Sequence, residues 1–272
     1  MQTAHPFPLS GGLESCPMTE HNAMPDRKLY QLSGMELTGR ARTHVSLNTE
    51  LDCVLHPQAA AALLALRAAA RTDGIEVQAV SGFRDFTQQL AIWNGKFLGT
   101  RPLLSVENQP IDPAQLGDTE RVAAILVWSA LPGASRHHWG SDCDVIDRSA
   151  LATGARIELL DTDYAPGGRH ARLSAWLGER AHEFGFFRPY DRDRGGVQPE
   201  PWHLSFAPVA GPALAALSVE LLGEALANGE LAGIDVVVAQ LPQLYARYVM
   251  AVAAPPPAAL AASALNRAAR LA

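Results

Sequence analysis

The chain has 272 residues, of which 48% are hydrophobic and 18% are charged, and this composition excludes a fully disordered or fibrous protein. Its 22 basic and 28 acidic side chains give a formal charge of −6, which argues against a nucleic-acid-binding protein. The three cysteines are widely spread without a C-x-x-C pair, so neither a disulfide framework nor a cysteine-only zinc site is indicated.

The first predicted elements follow an N-terminal arm. Residues 1–27 mix Pro, Gly, Ser and charges without a helical or strand period, which indicates a flexible segment. No basic stretch followed by an apolar run is visible there, so the sequence alone predicts no signal peptide and a cytoplasmic protein. Residues 57–74 begin with Pro, continue with Ala and Leu and end with Gly, which predicts a helix. A strand at 75–80 and a turn at 81–82 follow.

The rest of the chain alternates helical patterns with short strands. Helices are predicted at 86–97, 118–131, 171–184, 211–228 and 235–252, and strands at 142–146 and 202–206. The last residues are either a short helix after a Pro stop or disorder. Helices interspersed with short, non-repeating strands favour an α+β fold over a doubly wound parallel sheet.

A first candidate site lies in the loop and strand around His137. His137 and Asp144 are seven residues apart with Gly140 between them, so the loop can deliver an imidazole and the strand a carboxylate to the same point. Both groups are ordinary zinc ligands. Residues two apart on a strand share a face, so we expect Asp142 to support the ligands or contact a substrate, and Cys143 to pack in the core.

A second candidate segment contains Glu200 and His203. His203 can complete a set of two histidines and one aspartate, which leaves a fourth zinc position for water, as in catalytic sites. Glu200, three residues earlier, can take the proton from a water whose pKa zinc lowers. The alternative for Glu200 is an ordinary loop carboxylate.

A third segment places Arg84 after the predicted Ser-Gly turn. The planar guanidinium of arginine matches a carboxylate through two hydrogen bonds. Zinc, a general base and an arginine together suggest cleavage next to a free C-terminus. An ion pair, for example with Asp85, is the alternative interpretation of Arg84.

These segments resemble the signature of the zinc D-alanyl-D-alanine carboxypeptidases of the VanY-like type and their LAS metallopeptidase relatives. The family pattern Ser-x-His-x-x-Gly-x-Ala-x-Asp with a later Glu-x-x-His is matched by Ser135, His137, Gly140, Asp144, Glu200 and His203. The upstream Ser-Gly-aromatic-Arg pattern with a later Gln is matched by Ser81, Gly82, Phe83, Arg84 and Gln89. The resemblance covers roughly residues 45–207 and departs from the family at Asp142, where the pattern has a small residue.

The resemblance implies a fold and a set of roles. The expected fold is a small antiparallel sheet flanked by helices, similar to hedgehog and D,D-peptidase domains, with a C-terminal helical extension. The expected organisation is an arm at 1–27, a zinc metallopeptidase domain at 28–210 and an extension and tail at 211–272. One Zn²⁺ per chain is expected on His137, Asp144 and His203, with Glu200 as general base. Substrate binding is expected from Arg84, Gln89, Ser135 and Asp142, the last of which alternatively contacts a ligand histidine.

The implied reaction is hydrolysis of the C-terminal D-Ala-D-Ala bond of peptidoglycan-type peptides. An L,D-carboxypeptidase, a dipeptidase or a cell-wall endopeptidase would use the same ligands, and a non-catalytic zinc-containing module that binds peptidoglycan is the alternative from a different class. The resemblance favours the periplasm or cell envelope, in contrast to the missing signal peptide.

The remaining histidines and two tryptophans receive no catalytic role. We expect surface or hydrogen-bonded positions for six histidines, namely His5, His21, His44, His56, His170 and His182. His138 is expected at the rim or behind the ligands, and Trp139 and Trp202 are expected to pack against neighbours rather than to stack on a ligand.

Overall fold

The computed structural model describes residues 31–227 and 230–260, so the expected arm at 1–27 and the end of the tail lie outside the described residues. The fold is α+β, as predicted, with small antiparallel sheets and helices packed around them. The C-terminal helices that the sequence predicts are present.

The bounds of the elements are as follows. The helices are α1 (Gly34–Leu37), α2 (Pro57–Thr72), α3 (Phe86–Phe97), α4 (Asp118–Leu126), α5 (Asp161–Tyr164), α6 (Ala171–Arg180), α7 (Ala207–Ala216), α8 (Val219–Leu226), α9 (Ile234–Ala239) and α10 (Leu241–Leu244). The strands are β1 (Ser46–Asn48), β2 (Cys53–Leu55), β3 (Val77–Ser81), β4 (Leu103–Leu104), β5 (Pro110–Ile111), β6 (Asp142–Asp147), β7 (Phe186–Phe187) and β8 (His203–Phe206).

The central sheet has four antiparallel strands in the order β3-β6-β8-β7. β6 lies between β3 and β8, and its register pairs Asp144 with Ser81 on one side and with His203 on the other. Cys143 and Val145 point to the opposite face and pack in the hydrophobic core, as the strand period predicts. The sheet therefore brings three sequence-distant segments to one point.

Helix α2 forms where the sequence predicts it. Pro57 is at its first turn, where the missing N–H costs no helical hydrogen bond, and His56 Nδ1 accepts a hydrogen bond from the Gln58 backbone N–H at 3.3 Å. The alanines and leucines on one face of the helix are buried, among them Leu63 and Leu66, which lie in the same cluster as residues of the central sheet. Gly74, with φ of 70°, follows the helix in the left-handed conformation that glycine adopts without strain.

The buried apolar residues form two main clusters. One lies between α2, the central sheet and α6 and contains Leu66, Val145 and Trp176. The other joins α3 and α4 to the C-terminal helices and contains Trp93 and Leu222. The C-terminal helices thus share a core with the segment that carries Arg84.

Several predicted elements are shorter than expected. The helix at 118–131 ends at Leu126, and the helix at 171–184 changes to a 3₁₀ turn after Arg180. The predicted helix at 211–228 is two helices, because α7 starts directly after β8 and Ser218 caps a new helix by accepting from the Leu221 N–H. The helix at 235–252 is divided into α9, α10 and the π-helical turn Tyr245–Val249.

Within the described residues, no single helix combines the length and hydropathy needed to cross a membrane. Helices α7 and α8 reach that length and composition only as a pair, and the pair is bent by 81°.

Candidate metal centre and peptide cleft

Three side chains converge where β6 meets β8. One ligand atom from each of His137, Asp144 and His203 can be chosen so that all three lie within 4.8 Å of one another. His137 Nε2 is 3.6 Å from Asp144 Oδ2, and His203 Nδ1 is 3.2 Å from Asp144 Oδ1. All three residues are buried. The structure therefore brings together the three residues that the sequence predicts as zinc ligands.

The second nitrogen of each histidine is already bonded. His137 Nδ1 donates to the Gly82 carbonyl at 2.8 Å, and His203 Nε2 donates to Asp142 Oδ1 at 2.9 Å. Metal-bound histidines almost always donate their other ring N–H to a carbonyl or carboxylate, which fixes the ring and its tautomer. Both rings are thus held with the remaining nitrogen toward Asp144.

The polar atoms at the centre fit a divalent cation. Asp144 Oδ1 and His203 Nδ1 are buried without an aligned hydrogen-bond partner in the described part of the chain, although they lie near each other. Burial lowers the pKa of His137 to about 4, so its imidazole is neutral, the form that binds metals. Burial opposes a charged His203, but the hydrogen bond that it donates to Asp142 and the nearby carboxylates of Asp144 and Glu200 raise its pKa above the ordinary value. Two imidazoles and one carboxylate match the donor preference of Zn²⁺.

Asp142 does not line the cleft in the structure, and its substrate-binding role stays a prediction. Its side chain is fully buried, and its carboxylate accepts from Arg136 Nε at 2.9 Å, from Ser141 Oγ and from His203. Burial alone would raise the pKa of this carboxyl, but Arg136 lowers it well below the ordinary value. With its oxygens used in this way, Asp142 has the other role considered for it, contact with a ligand histidine.

Glu200 lies in the cleft beside the three residues. Its Oε2 is 3.3 Å from His203 Nδ1, and its backbone N–H donates to the Tyr190 carbonyl at 3.0 Å. Burial raises the pKa of Glu200 above the ordinary value. A carboxylate with a raised pKa is better suited to taking up a proton near neutral pH.

Arg84 lines the same cleft. Its backbone N–H donates to the His137 carbonyl at 3.3 Å, and its guanidinium donates to Gln89 Oε1 at 2.8 Å and to Ser81 Oγ at 3.3 Å. No carboxylate, Asp85 included, lies within 4 Å of this guanidinium in the described residues. Asp85 instead caps α3 through the Gln88 N–H.

Gln89 is also predicted to bind substrate, and this role stays a prediction, because the side chain holds Arg84 in the structure. The side chain is fully buried, with Oε1 bonded to Arg84 and Nε2 donating to the Ala130 carbonyl at 2.7 Å. Both ends of the amide are used, so Gln89 fixes the direction of Arg84. Ser135, by contrast, lies in the cleft lining, as expected.

The glycines of the motifs permit close backbone approach. A Cβ on Gly82 would lie 2.3 Å from Cys53 Sγ, and Gly140, with φ of 64°, would place a Cβ 2.8 Å from the His56 backbone nitrogen.

His138 is buried rather than at the rim, and its Nδ1 donates to the Arg84 carbonyl at 2.6 Å. The loop that carries His137 is therefore locked onto the loop that carries Arg84.

The sequence missed other residues of the cleft. Tyr190 has its ring centroid 5.1 Å from that of His203, in an edge-on contact. The remaining apolar wall comes from several distant segments and is formed by Leu104, Trp128, Leu159, Leu160, Val197 and Trp202. Apart from Trp202, which precedes His203 in its motif, these positions carry no motif, so only the fold reveals them.

Residues 52–209 match the VanY family, described as D-alanyl-D-alanine carboxypeptidase, and this stretch is more than half of the chain and contains the whole candidate site. The chain belongs to the VanY family. The match confirms the resemblance that the motifs indicate.

Individual relatives of this VanY-family chain vary in how much of it they cover. An uncharacterized protein of Haemophilus influenzae (strain ATCC 51907 / DSM 11121 / KW20 / Rd) is 33% identical over 122 residues, which are 44% of this chain and 93% of that protein. A D-alanyl-D-alanine carboxypeptidase of Enterococcus faecalis (strain ATCC 700802 / V583) is 27% identical over 141 residues, which are 51% of this chain and 42% of that protein.

Among solved structures, a mutant of the vancomycin-resistance D,D-pentapeptidase VanY from the VanB-type cassette, in complex with Zn(II), is similar with 21% identity. The similarity has a TM-score of 0.43 and covers 71% of this chain and 88% of that one.

Proposed function

We propose that this VanY-family chain is a zinc-dependent D,D-carboxypeptidase that hydrolyses the C-terminal D-Ala-D-Ala bond of peptidoglycan-type peptides. The observation that carries the proposal is the convergence of His137, Asp144 and His203 within one buried cluster, with Glu200 and Arg84 in the same cleft. A purely structural zinc site has four protein ligands and needs no adjacent base, whereas three ligands leave a position open.

The residues take the following roles in this proposal. His137, Asp144 and His203 hold the zinc, which when bound supplies Lewis acidity and makes water more acidic. Glu200 takes up the proton of the attacking water and returns it to the leaving amine, which its burial-raised pKa favours.

Arg84 and Ser135 position the peptide. The Arg84 guanidinium, held by Gln89 and Ser81, binds the terminal carboxylate through two parallel hydrogen bonds. Ser135, two residues before His137, contacts the substrate backbone. Because Arg84 and Glu200 line the same cleft, a terminal carboxylate bound by Arg84 would bring the last peptide bond to the base, which would make the reaction a carboxypeptidase reaction.

A change of Glu200 to Gln tests the proposal. The zinc-loaded full chain should release D-alanine from an acetylated tripeptide ending in D-Ala-D-Ala, chelation should abolish the release and added Zn²⁺ should restore it. Glu200→Gln should lower kcat roughly 100- to 10,000-fold, the usual contribution of a general base, with one zinc per chain retained in metal analysis.

The control is Glu183→Gln, because Glu183 is a carboxylate that pairs with Arg180 on the protein surface. It should leave kcat unchanged. Release of D-alanine by Glu200→Gln at the rate of the parent chain would contradict the role of the base. Peptide binding without any hydrolysis by the zinc-loaded parent chain would favour a non-catalytic module. Preferential cleavage of a peptide ending in L-Ala-D-Ala would indicate an L,D-carboxypeptidase. Preferential cleavage of a peptide ending in D-Ala-amide would indicate an endopeptidase.

A further inference from the structure

The wall of the cleft next to Arg84 is fastened to α3 by two side chains. Gln89 Nε2 donates to the Ala130 carbonyl at 2.7 Å, and one residue earlier on the same wall Lys96 Nζ donates to Ser129 Oγ at 2.7 Å. Gln89 and Lys96 are seven residues apart, which places them on one face of the helix. Ser129 and Ala130 both line the cleft.

Lys96 is an unusual cation in this position. The sequence has only two lysines, Lys28 and Lys96, against 20 arginines. Within 31–227 and 230–260, no carboxylate oxygen lies within 4 Å of its ammonium group. It is half-buried, and burial lowers its pKa to about 8 even though Glu200 opposes the change. A desolvated ammonium group without a carboxylate partner is costly unless an anion joins it.

Two other cations, Arg84 and Arg101, lie close to Lys96. Arg101 crosses α3 at Gly95, where an added Cβ would lie 2.9 Å from Arg101 Cγ and Cδ, so the arginine lies flat against the helix. Its charge acts on both Arg84 and Lys96 and disfavours a proton on each. Arg84 in the cleft and the neighbouring cations Lys96 and Arg101 thus lie close together in a chain whose formal charge is −6, which favours an anionic ligand there.

Ser129 directs this charge into the cleft. Its oxygen accepts the hydrogen bond from Lys96, and its own hydroxyl proton has no acceptor among the residues that the structure describes. A hydroxyl polarised by an ammonium group behind it is a strong donor to a negatively charged acceptor. The surface of the cleft therefore offers an unused, charge-assisted donor next to Arg84.

We propose that Ser129, backed by Lys96, is a second carboxylate-binding position beside Arg84, and that it determines specificity for an acidic group on the C-terminal residue of the substrate. The carboxylate is either the main-chain terminus, shared with Arg84, or a side-chain carboxylate of that residue. The inference rests on the proposed function for its substrate and deepens it, because Arg84 alone would not account for Lys96 and Arg101.

Kinetics on three peptides test the proposal. The zinc-loaded full chain and its variants Lys96→Met, Ser129→Ala and Lys96→Arg are compared on an acetylated tripeptide ending in D-Ala-D-Ala, on its C-terminal amide and on the same peptide ending in D-Ala-D-Glu. Lys96→Met and Ser129→Ala should raise KM roughly 10- to 100-fold with a smaller change in kcat, as expected for a lost hydrogen bond to a charged group. Lys96→Arg should retain most of the affinity.

Comparison of the three peptides distinguishes a main-chain carboxylate from a side-chain carboxylate. A rise in KM for both free acids, with no change in the inhibition constant of the uncleaved amide, identifies the main-chain carboxylate. A rise only for the peptide ending in D-Glu identifies the side-chain carboxylate. Arg172→Met is the matched control, because it removes a positive charge from α6, where Arg172 contacts the Asp73 carbonyl. Equal KM values for parent chain and Lys96→Met on both free acids would overturn the proposal.

A binding measurement that needs no hydrolysis distinguishes failure of the carboxylate-binding position from failure of the proposed function. Because Lys28 and Lys96 are the only lysines, labelling with an amine-reactive reagent followed by mass spectrometry reports on Lys96 individually. The peptide ending in D-Ala-D-Ala should slow labelling of Lys96 but not of Lys28 in the zinc-loaded Glu200→Gln variant. If the parent chain cleaves none of the peptides, the proposed function fails, while unchanged labelling of Lys96 would refute the carboxylate position.

Discussion

Asp142 shows how one buried residue is tied to the metal centre without lying in the cleft. Its carboxylate joins Arg136 Nε to His203 Nε2, each at 2.9 Å, and Arg136 in turn donates to Ser205 Oγ at 2.6 Å. A carboxylate behind a histidine orients the ring and increases the basicity of the nitrogen that faces the metal. Arg136 is needed because a lone carboxylate at this depth would carry an uncompensated charge.

Asp142→Asn should therefore weaken zinc binding. Asparagine keeps the shape and an acceptor for Arg136 but removes the negative charge that holds the His203 proton. The loss of such a partner typically costs roughly 10- to 100-fold in metal affinity. Zinc affinity is measured by competition with a chromophoric chelator, on a chain whose folding is checked by circular dichroism.

Asp147→Asn is the matched control for this change. Asp147 lies on the same strand, is also buried, and accepts from the backbone N–H groups of Glu76 and Ser149 far from the ligands. This substitution should affect stability but leave zinc affinity within about twofold. Equal affinity of Asp142→Asn and the parent chain would show that His203 is oriented by packing alone.

Site residues differ in how far the sequence predicts them. The short spacing of His137 and Asp144 across a loop and a strand predicts their convergence. The position of His203 depends on the motif resemblance and on the pairing of β6 with β8, which the sequence does not specify. The substrate-binding roles of Asp142 and Gln89 stay predictions, because such roles depend on which neighbours use each polar atom. Those partners come from segments without any motif, and the sequence holds no signal for them.

At the scale of elements, prediction was most successful where local signals and packing agree. α2 and α3 formed where Pro57 and the apolar period of 86–97 placed them. The breaks at 217–218 and 240 were missed because the apolar pattern continues through them, and the hairpins β1–β2 and β4–β5 were missed because their strands have two or three residues. Such short strands are stabilised by what they pack on rather than by their own sequence.

The start of α2 leads to a prediction about pH. His56 caps the helix through neutral Nδ1, and burial, assisted by His44 and opposed by Glu36, lowers its pKa from 6.5 to about 4. Between these values the unfolded chain binds a proton that the folded chain does not. The free energy of unfolding therefore falls as pH decreases from 6.5 toward 4, by about 1 to 2 kcal/mol from this residue at pH 5.

His56→Asn isolates this contribution, because asparagine is a good N-cap that does not titrate in this range. Urea unfolding at pH 7.5 and pH 5 should show a smaller loss of stability at pH 5 for His56→Asn than for the parent chain. His182→Asn, at a residue for which no capping role is observed, provides the comparison. Identical pH dependence for the parent chain and His56→Asn would mean that the imidazole remains able to protonate in the folded chain.

At the scale of the whole molecule, the C-terminal helices bear on the cleft. The predicted division at residue 210 remains a prediction, but α8 and α9 contribute Leu222 and Val237 to the same core cluster as Trp93 of α3. Trp93 Nε1 also donates to the Ala232 carbonyl at 3.0 Å. Because α3 carries Gln89 and Lys96, we expect the C-terminal helices to fold together with the metallopeptidase domain and to hold its cleft wall in place.

Two adjacent valines in α9 test this expectation, since Val237 is fully buried and Val238 is 56% exposed. Val237→Ala should lower the free energy of unfolding by about 1.5 to 3 kcal/mol, from two lost methyl groups and the cavity they leave, and Val238→Ala by less than about 0.5 kcal/mol. All five tryptophans precede residue 210, and Trp128, Trp176 and Trp202 pack in or against the cluster between α2, the central sheet and α6, so the fluorescence reports mainly on the metallopeptidase domain. If the two parts fold as one unit, Val237→Ala shifts the fluorescence transition in urea by the full loss of free energy of unfolding. If the extension folds separately, the fluorescence transition stays at the urea concentration of the parent chain. The helical signal in circular dichroism then shows a second transition at a lower urea concentration.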